Sequence, residues 1–201
     1  MSATIRPATG SDAAGVLAIY APIVRETVIS FEFAPPDLNE MQRRIEDALA
    51  RFPWLVCVDD GQLLGYAYAS QHRARAAYQW SVDVSVYVHA QARRSGVGRS
   101  LYTSLFQVLI LQGFYNAYAG ITLPNPASVG LHESVGFQLI GVYRFAGYKF
   151  GAWHDTGWWQ RALRDHNRPP DPPAEFRTVR SAPECAAAVA AGAASLRRRL
   201  T

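Results

Sequence analysis

The order of apolar and polar residues predicts an alternating α/β chain. Thr4-Ile5-Arg6 reads as a short first strand, and Ser11-Asp12 caps a helix with apolar positions at Val16, Leu17, Ile19, Tyr20 and Val24. An aromatic-bearing loop over 27–36 ends at Pro35-Pro36, and a second helix spans 38–51, stopping ahead of Pro53. Segments 54–59 and 63–70 pair as strands across Asp60-Gly61, a hairpin signal. A long strand from about Tyr78 to Val88 then enters a glycine-containing loop and a helix over 98–112. A strand over 115–122, a helix from Pro126 to Val135 capped by Gly136, and two closing strands over 137–145 and 153–164 complete the pattern. The order β-α-α-β-β-β-α-β-α-β-β calls for an α/β fold with a central mixed sheet and helices on both faces. After Arg164 the text changes to Asn167-Arg168-Pro169-Pro170-Asp171-Pro172-Pro173, which is linker chemistry, and then to an alanine-rich segment, Pro183 to Arg199, with a basic end. Residues 1–164 therefore read as one domain, and 165–201 as a flexible linker and tail.

The strand ahead of the glycine loop carries the clearest chemistry. Its Val82, Val84, Val86 and Val88 share one face, which puts Asp83, Ser85 and Tyr87 on the other. Arg93-Arg94-Ser95-Gly96-Val97-Gly98-Arg99-Ser100 follows, and its two glycines let successive N–H groups converge on one point. The helix behind it adds the positive end of its dipole there, so the turn suits a pyrophosphate. Two common phosphate loops are excluded. Leu101 stands where a dinucleotide fingerprint needs its third glycine, and the only lysine, Lys149, is far from the position a P-loop requires.

Composition narrows the class further. The chain has 201 residues, 49% apolar and 18% charged, enough to bury a sizeable core. Half of the net charge of +4 lies beyond residue 164, so the domain has no basic face for nucleic acid. No apolar run approaches the roughly 20 residues of a membrane span, and the first residues lack a signal-peptide core. Cys57 and Cys185 look unpaired, which points to a reducing cytoplasm, and no His/Cys cluster has metal-ligand spacing.

Arg93-x-x-Gly96-x-Gly98 resembles the acyl-CoA pyrophosphate loop of the GNAT N-acetyltransferase superfamily. Asn125-Pro126-Ala127-Ser128-Val129-Gly130-Leu131-His132-Glu133-Ser134-Val135-Gly136-Phe137 resembles that superfamily's second signature, with His132 where a tyrosine is usual. Within the superfamily, Thr27–Phe31, Pro53–Val56, Tyr78–Asp83, Leu123–Asn125 and Gly147–Gln160 are similar to phosphinothricin and methionine sulfoximine N-acetyltransferases, a likeness running over about 3–164. The resemblance implies a mostly antiparallel GNAT sheet, acetyl-CoA as co-substrate, no metal, and a homodimer. The implied reaction is direct acetyl transfer to the α-amine of a small amino acid or analogue.

The same resemblance implies residue roles. Arg93, Arg94, Ser95, Gly96, Val97, Gly98, Arg99 and Ser100 would bind the pyrophosphate, mostly through backbone. The backbone of Val86, Tyr87 and Val88 would hold pantetheine and the thioester carbonyl, with Asn125 and Ser128 against the cofactor. Asp83 stands where this branch has its general-base glutamate, one methylene short, which favours a water relay. His132 matches the branch's active-site histidine, so Asp83 and His132 are expected to act together, with their roles undivided. Arg75 matches the branch's substrate-binding arginine, flanked by Arg73 and Tyr78. Phe31 would wall the substrate, and Lys149, Trp153 and His154 would complete the pocket across a dimer interface. On the residues alone, Asp83 is equally a half-exposed strand carboxylate, His132 a helix-surface histidine, and the arginines solvated side chains. Two other functions stay open: an acetyltransferase for a polyamine or a protein N-terminus, and a non-catalytic acyl-CoA sensor. Arg73 and Arg75 would repel a polyamine.

Overall fold

The structure, a computed structural model, describes residues 3–193 and Leu196. Its main elements are β1 (Thr4–Pro7), α1 (Ala13–Glu26), α2 (Leu38–Arg51), β2 (Trp54–Asp59), β3 (Gln62–Gln71), β4 (Ser81–Val88), α3 (Val97–Gln112), β5 (Asn116–Leu123), α4 (Pro126–Ser134), β6 (Gln138–Lys149) and β7 (Ala152–Ala162). The element order is the one the pattern predicts. One seven-stranded sheet runs β1-β2-β3-β4-β5-β7-β6. Every neighbouring pair is antiparallel except β4 and β5.

Period-2 alternation divides the sheet as the sequence implies. On one face Tyr66 and Tyr87 stack at 5.2 Å, and Tyr20 of α1 meets Tyr87 edge-on at 5.3 Å. On the other face α3 lies so close to β3 that a Cβ on Gly65 would meet Val97 and Leu101 side chains at 3.0 and 3.3 Å. Val82 and Val84 are buried, and the core continues through Leu101, Leu105 and Leu109 of α3. β4 begins later than the alternation suggests. Its pairing with β3 ends at Gln71–Val82, and Ala76–Tyr78 instead form a short 3-10 turn closed by the Tyr78 N–H on the Arg75 carbonyl.

The segment read as a flexible appendage is, from Asp171 to Gly192, tied to the domain. The Trp80 indole N–H donates to the Asp171 carbonyl at 2.8 Å, and the Gln112 amide donates to the Ala174 carbonyl at 2.8 Å. Two short helices follow, α5 (Phe176–Val179) and α6 (Pro183–Ala190), and bury Phe176, Cys185 and Val189. The Ser104 hydroxyl donates to the Val189 carbonyl and accepts from the Gly192 N–H. The cause lies in α3, which is buried almost all round: Ser100, Ser104 and Val108 form a second face that needs cover. The basic end of the tail, Arg197 to Arg199, lies outside the described residues.

Candidate active site

β4 and β5 pair only over Ser81–Asp83 against Asn116–Tyr118. Past Asp83 and Tyr118 the strands diverge: β4 keeps β3 on one side, and β5 continues with β7. The gap opens into a cleft of about 1060 Å³, lined on one wall by Val86, Tyr87 and Val88 and on the other by Asn125, Ala127, Ser128 and Leu131. Tyr87 offers only its backbone edge, because its ring is held in the aromatic stack on the α1 face.

The mouth of the cleft is the glycine loop. Arg94 (φ 62°) and Gly96 (φ 93°) adopt left-handed backbone, which turns the chain sharply into α3. The first N–H bonded inside that helix is Ser100's, to the Gly96 carbonyl at 3.0 Å. The Val97, Gly98 and Arg99 amides ahead of it are therefore free for an anion, at the positive end of the helix dipole. Arg93, Arg94 and Arg99 border the same opening. Gly98 lets α4 approach, since a Cβ there would lie 2.9 Å from the Leu131 side chain. The Ser95 hydroxyl is spent closing the loop, donating to the Ala92 carbonyl at 2.6 Å. Ser100 corrects the expectation: it is fully buried beneath the tail near Gly192, because its helix position faces away from the cleft. Asn125 caps α4, its Oδ1 accepting from the Ser128 N–H at 3.1 Å, and leaves its NH₂ for a ligand.

The two expected catalytic residues do not meet. His132 is buried in α4, where Nδ1–H donates to the Ser128 carbonyl at 2.8 Å and Nε2 accepts from the Tyr102 hydroxyl at 2.7 Å. Both ring nitrogens are occupied, and burial holds the imidazole below its usual range, so it is neutral. Asp83 has a different partner. The Nδ1–H of His72, one residue past the end of β3, donates to Asp83 Oδ1 at 2.6 Å. The His72 ring stacks on Tyr118 at 4.2 Å, with Tyr78 and Trp158 edge-on at 6.0 and 6.3 Å. Burial raises the Asp83 carboxyl above the usual range, against the pull of His72 and Arg73. This His72–Asp83–Tyr118 cluster sits where β4 and β5 part, at the last pair of their ladder. The alternation on β4 correctly put Asp83 opposite the valines. His72 was legible only through the β3–β4 register, which aligns Ser70 with Asp83 and follows a loop whose length hides it.

Residues 5–158 match the acetyltransferase (GNAT) domain. The chain belongs to the GNAT acetyltransferase family. It is 41% identical over 175 residues to a phosphinothricin N-acetyltransferase of Streptomyces viridochromogenes, covering 87% of this chain and 93% of that protein. It is 38% identical to an L-methionine sulfoximine/L-methionine sulfone acetyltransferase of Pseudomonas paraeruginosa, covering 81% and 96%. A solved phosphinothricin acetyltransferase of the superfamily from Sinorhizobium meliloti, in complex with acetyl-CoA, superposes with a TM-score of 0.81 at 35% identity, covering 85% and 94%.

At the Ser81 end of β4 this acetyltransferase has a second, smaller hollow of about 250 Å³, lined by Arg51, Arg73, Arg75, Gln71, Tyr78 and Ser81 among others. Arg73, Arg75 and Tyr78 are thus brought together as expected. Arg51, at the end of α2, joins them without having been legible, because only a tertiary contact brings it there: its guanidinium donates to Gln71 Oε1 at 3.3 Å. Lys149 overturns its expected role. Its buried ammonium donates to the carbonyls of Val24, Thr27 and Ser30 at 2.7, 2.9 and 2.7 Å. All three protons are used, so Lys149 pins the loop after α1 and has none left for a substrate. That loop seats Phe31 directly against Gly147 and 6.4 Å from the His154 ring. The His154 Nε2–H donates to the Lys149 carbonyl at 3.0 Å. Trp153 lies outward, edge-on to Tyr148 at 5.3 Å. Among the described residues no group of three or more His, Cys, Asp or Glu gathers as a metal site.

Proposed function

We propose that this enzyme transfers the acetyl group of acetyl-CoA to the α-amine of a small amino acid or analogue, such as phosphinothricin or methionine sulfoximine. The observation that carries the reading is the arrangement along β4. Its Val86–Val88 end borders a long cleft with unspent amides at the mouth, its Ser81 end borders an arginine-lined hollow, and Asp83 lies between. The cleft suits the length of acetyl-CoA: its pyrophosphate against the Val97–Arg99 amides and Arg93, Arg94 and Arg99, its pantetheine along Val86–Val88 and Asn125. The hollow suits a carboxylate or phosphinate, which a guanidinium fork grips by paired charge-assisted bonds. The names of the relatives at 38–41% identity support this substrate class.

Transfer is direct in this reading. Cys57 and Cys185, the two thiols, are buried, and burial pushes Cys57 up to about 11, which removes its thiolate at neutral pH. The buried free cysteines also fit a reducing compartment, and we assign the enzyme to the cytoplasm. Among the described residues no helix is long and apolar enough to cross a membrane. Exposed Leu139, Ile140, Tyr143, Phe145, Tyr148 and Trp153 on β6 and β7 support a homodimer through the closing hairpin, which sedimentation at micromolar concentration checks.

The test is thiol release from acetyl-CoA with a panel of amines. Phosphinothricin and methionine sulfoximine are expected to drive release, and spermidine is not, because the arginine hollow repels it. Tight acetyl-CoA binding with no amine-dependent release would favour an acyl-CoA sensor and sink the enzyme reading.

A further inference from the structure

We propose that His72, held by Asp83, is the base that takes the proton from the incoming amine. The inference rests on the N-acetyltransferase reading of the cleft and assigns the proton path within it. Asp83 is a short carboxylate on the face of β4, and its Oδ1 is already engaged by His72 at 2.6 Å. The other member of the pair is the His72 imidazole. Its Nδ1 carries the proton given to Asp83, which leaves the lone pair on Nε2, and Nε2 has no hydrogen-bond partner among the described residues. The ring cannot swing freely: Tyr118 stacks on its plane while Tyr78 and Trp158 close its edges. About a tenth of the side chain stays exposed.

Position supports the role as strongly as orientation. Asp83 and Tyr118 are the last paired residues before β4 and β5 part, and the wall of the acetyl-CoA cleft begins three residues further along β4 at Val86. Gln71 and Arg73, the chain neighbours of His72, both line the arginine hollow. His72 alternates with them and turns to Asp83, on the face of β4 opposite the valines. The charged and titratable groups facing the imidazole are Asp83 from β4, Tyr118 from β5 and Tyr78 from the 76–78 turn, with Arg73 acting on Asp83 from the neighbouring position; β7 contributes only the uncharged Trp158.

Nε2 accepts one proton from the α-ammonium, freeing the nitrogen lone pair. That pair forms the C–N bond at the thioester carbonyl carbon. The C–S bond breaks with its electrons on sulfur. The second proton carried by the nitrogen passes to the departing thiolate, and His72 returns its own proton to solvent. The products are the N-acetyl amino acid, CoA thiol and one proton.

The experiment compares wild type, His72→Gln, His72→Ala and Asp83→Asn by thiol release across pH 6 to pH 9, with acetyl-CoA affinity measured by calorimetry. His72→Gln is expected to keep acetyl-CoA affinity and to lose about 100-fold or more in kcat/KM for the amine near pH 7. The loss should shrink as pH rises, because the free amine then needs no base, and added imidazole should partly restore His72→Ala. Asp83→Asn should also be slow, since it no longer holds the Nδ1–H tautomer. A His72→Gln enzyme within about threefold of wild type, beside a slow Asp83→Asn, would overturn the assignment and return the base role to Asp83 alone. Absence of amine-dependent release from wild type would instead bring down the acetyltransferase reading, and this proposal with it.

Discussion

Replacing Lys149 by methionine distinguishes a loop anchor from a substrate ligand. The ammonium satisfies three main-chain carbonyls, of Val24, Thr27 and Ser30, at 2.7 to 2.9 Å, and it lies 5.0 Å from the Phe150 ring. Methionine keeps the apolar stem and removes every donor. Each buried carbonyl left without a partner costs about 1–3 kcal/mol, so three give roughly 3–9 kcal/mol before relief. Two offsets reduce this. The Thr27 carbonyl borders solvent and rehydrates, and the desolvation that already lowers the Lys149 pKa disappears with the charge. A net loss of about 3 kcal/mol remains, which for a chain of this size lowers Tm by about 10 °C. Thermal unfolding followed by circular dichroism measures it. Steady-state kinetics should show the KM for the amine rising more than that for acetyl-CoA, because the relaxed loop carries Phe31. An unchanged Tm together with a collapse in amine turnover would contradict the anchor role and return Lys149 to the substrate.

Gly98→Val should drive a side chain into Leu131 and Val88, which a Cβ meets at 2.9 and 3.5 Å, and weaken acetyl-CoA binding about tenfold while the fold survives; an unaltered acetyl-CoA dissociation constant would contradict the cleft. Phe176→Ala should cost about 3–5 kcal/mol in urea unfolding, since the ring is fully buried, whereas a loosely attached tail would give no change. His132 gives a pH signature. Its folded pKa is lowered by burial, so on acidification below about pH 6.5 the unfolded chain gains a proton that the native state refuses. Stability is full above that pH and falls below it, by up to about 1.4 kcal/mol per pH unit. The advantage of wild type over His132→Gln should therefore shrink between pH 7.5 and pH 5; a gap that widens would mean that the buried imidazole is charged.

The architecture was legible because it is local. Alternation, caps and turn residues specify β2, α2 and the 54–71 hairpin within the windows that carry them, and the glycine loop announces itself. Asp83 was legible because period 2 separates it from four valines. His72 was not, since its partnership with Asp83 depends on antiparallel register across a nine-residue connection, and register is a property of two strands together. His132 misled for a related reason. The motif gave its place in α4, but only the packing of Tyr102 and the Ser128 carbonyl shows both nitrogens occupied. Lys149 likewise sits beside candidate pocket residues in the chain while its ammonium turns inward to carbonyls more than a hundred residues away. The docked tail follows from the breadth of the buried face on α3, which helical periodicity alone does not apportion between sheet and tail.

The most direct test of the whole account is the product itself. Wild-type enzyme, acetyl-CoA and L-methionine sulfoximine are incubated together, and the reaction is read by mass spectrometry and proton–nitrogen correlation NMR. One acetyl group on the α-nitrogen is expected, with one CoA thiol released per product and enzyme of unaltered mass. An acetylated enzyme, an acetyl group on any other atom, or no product at all would contradict it.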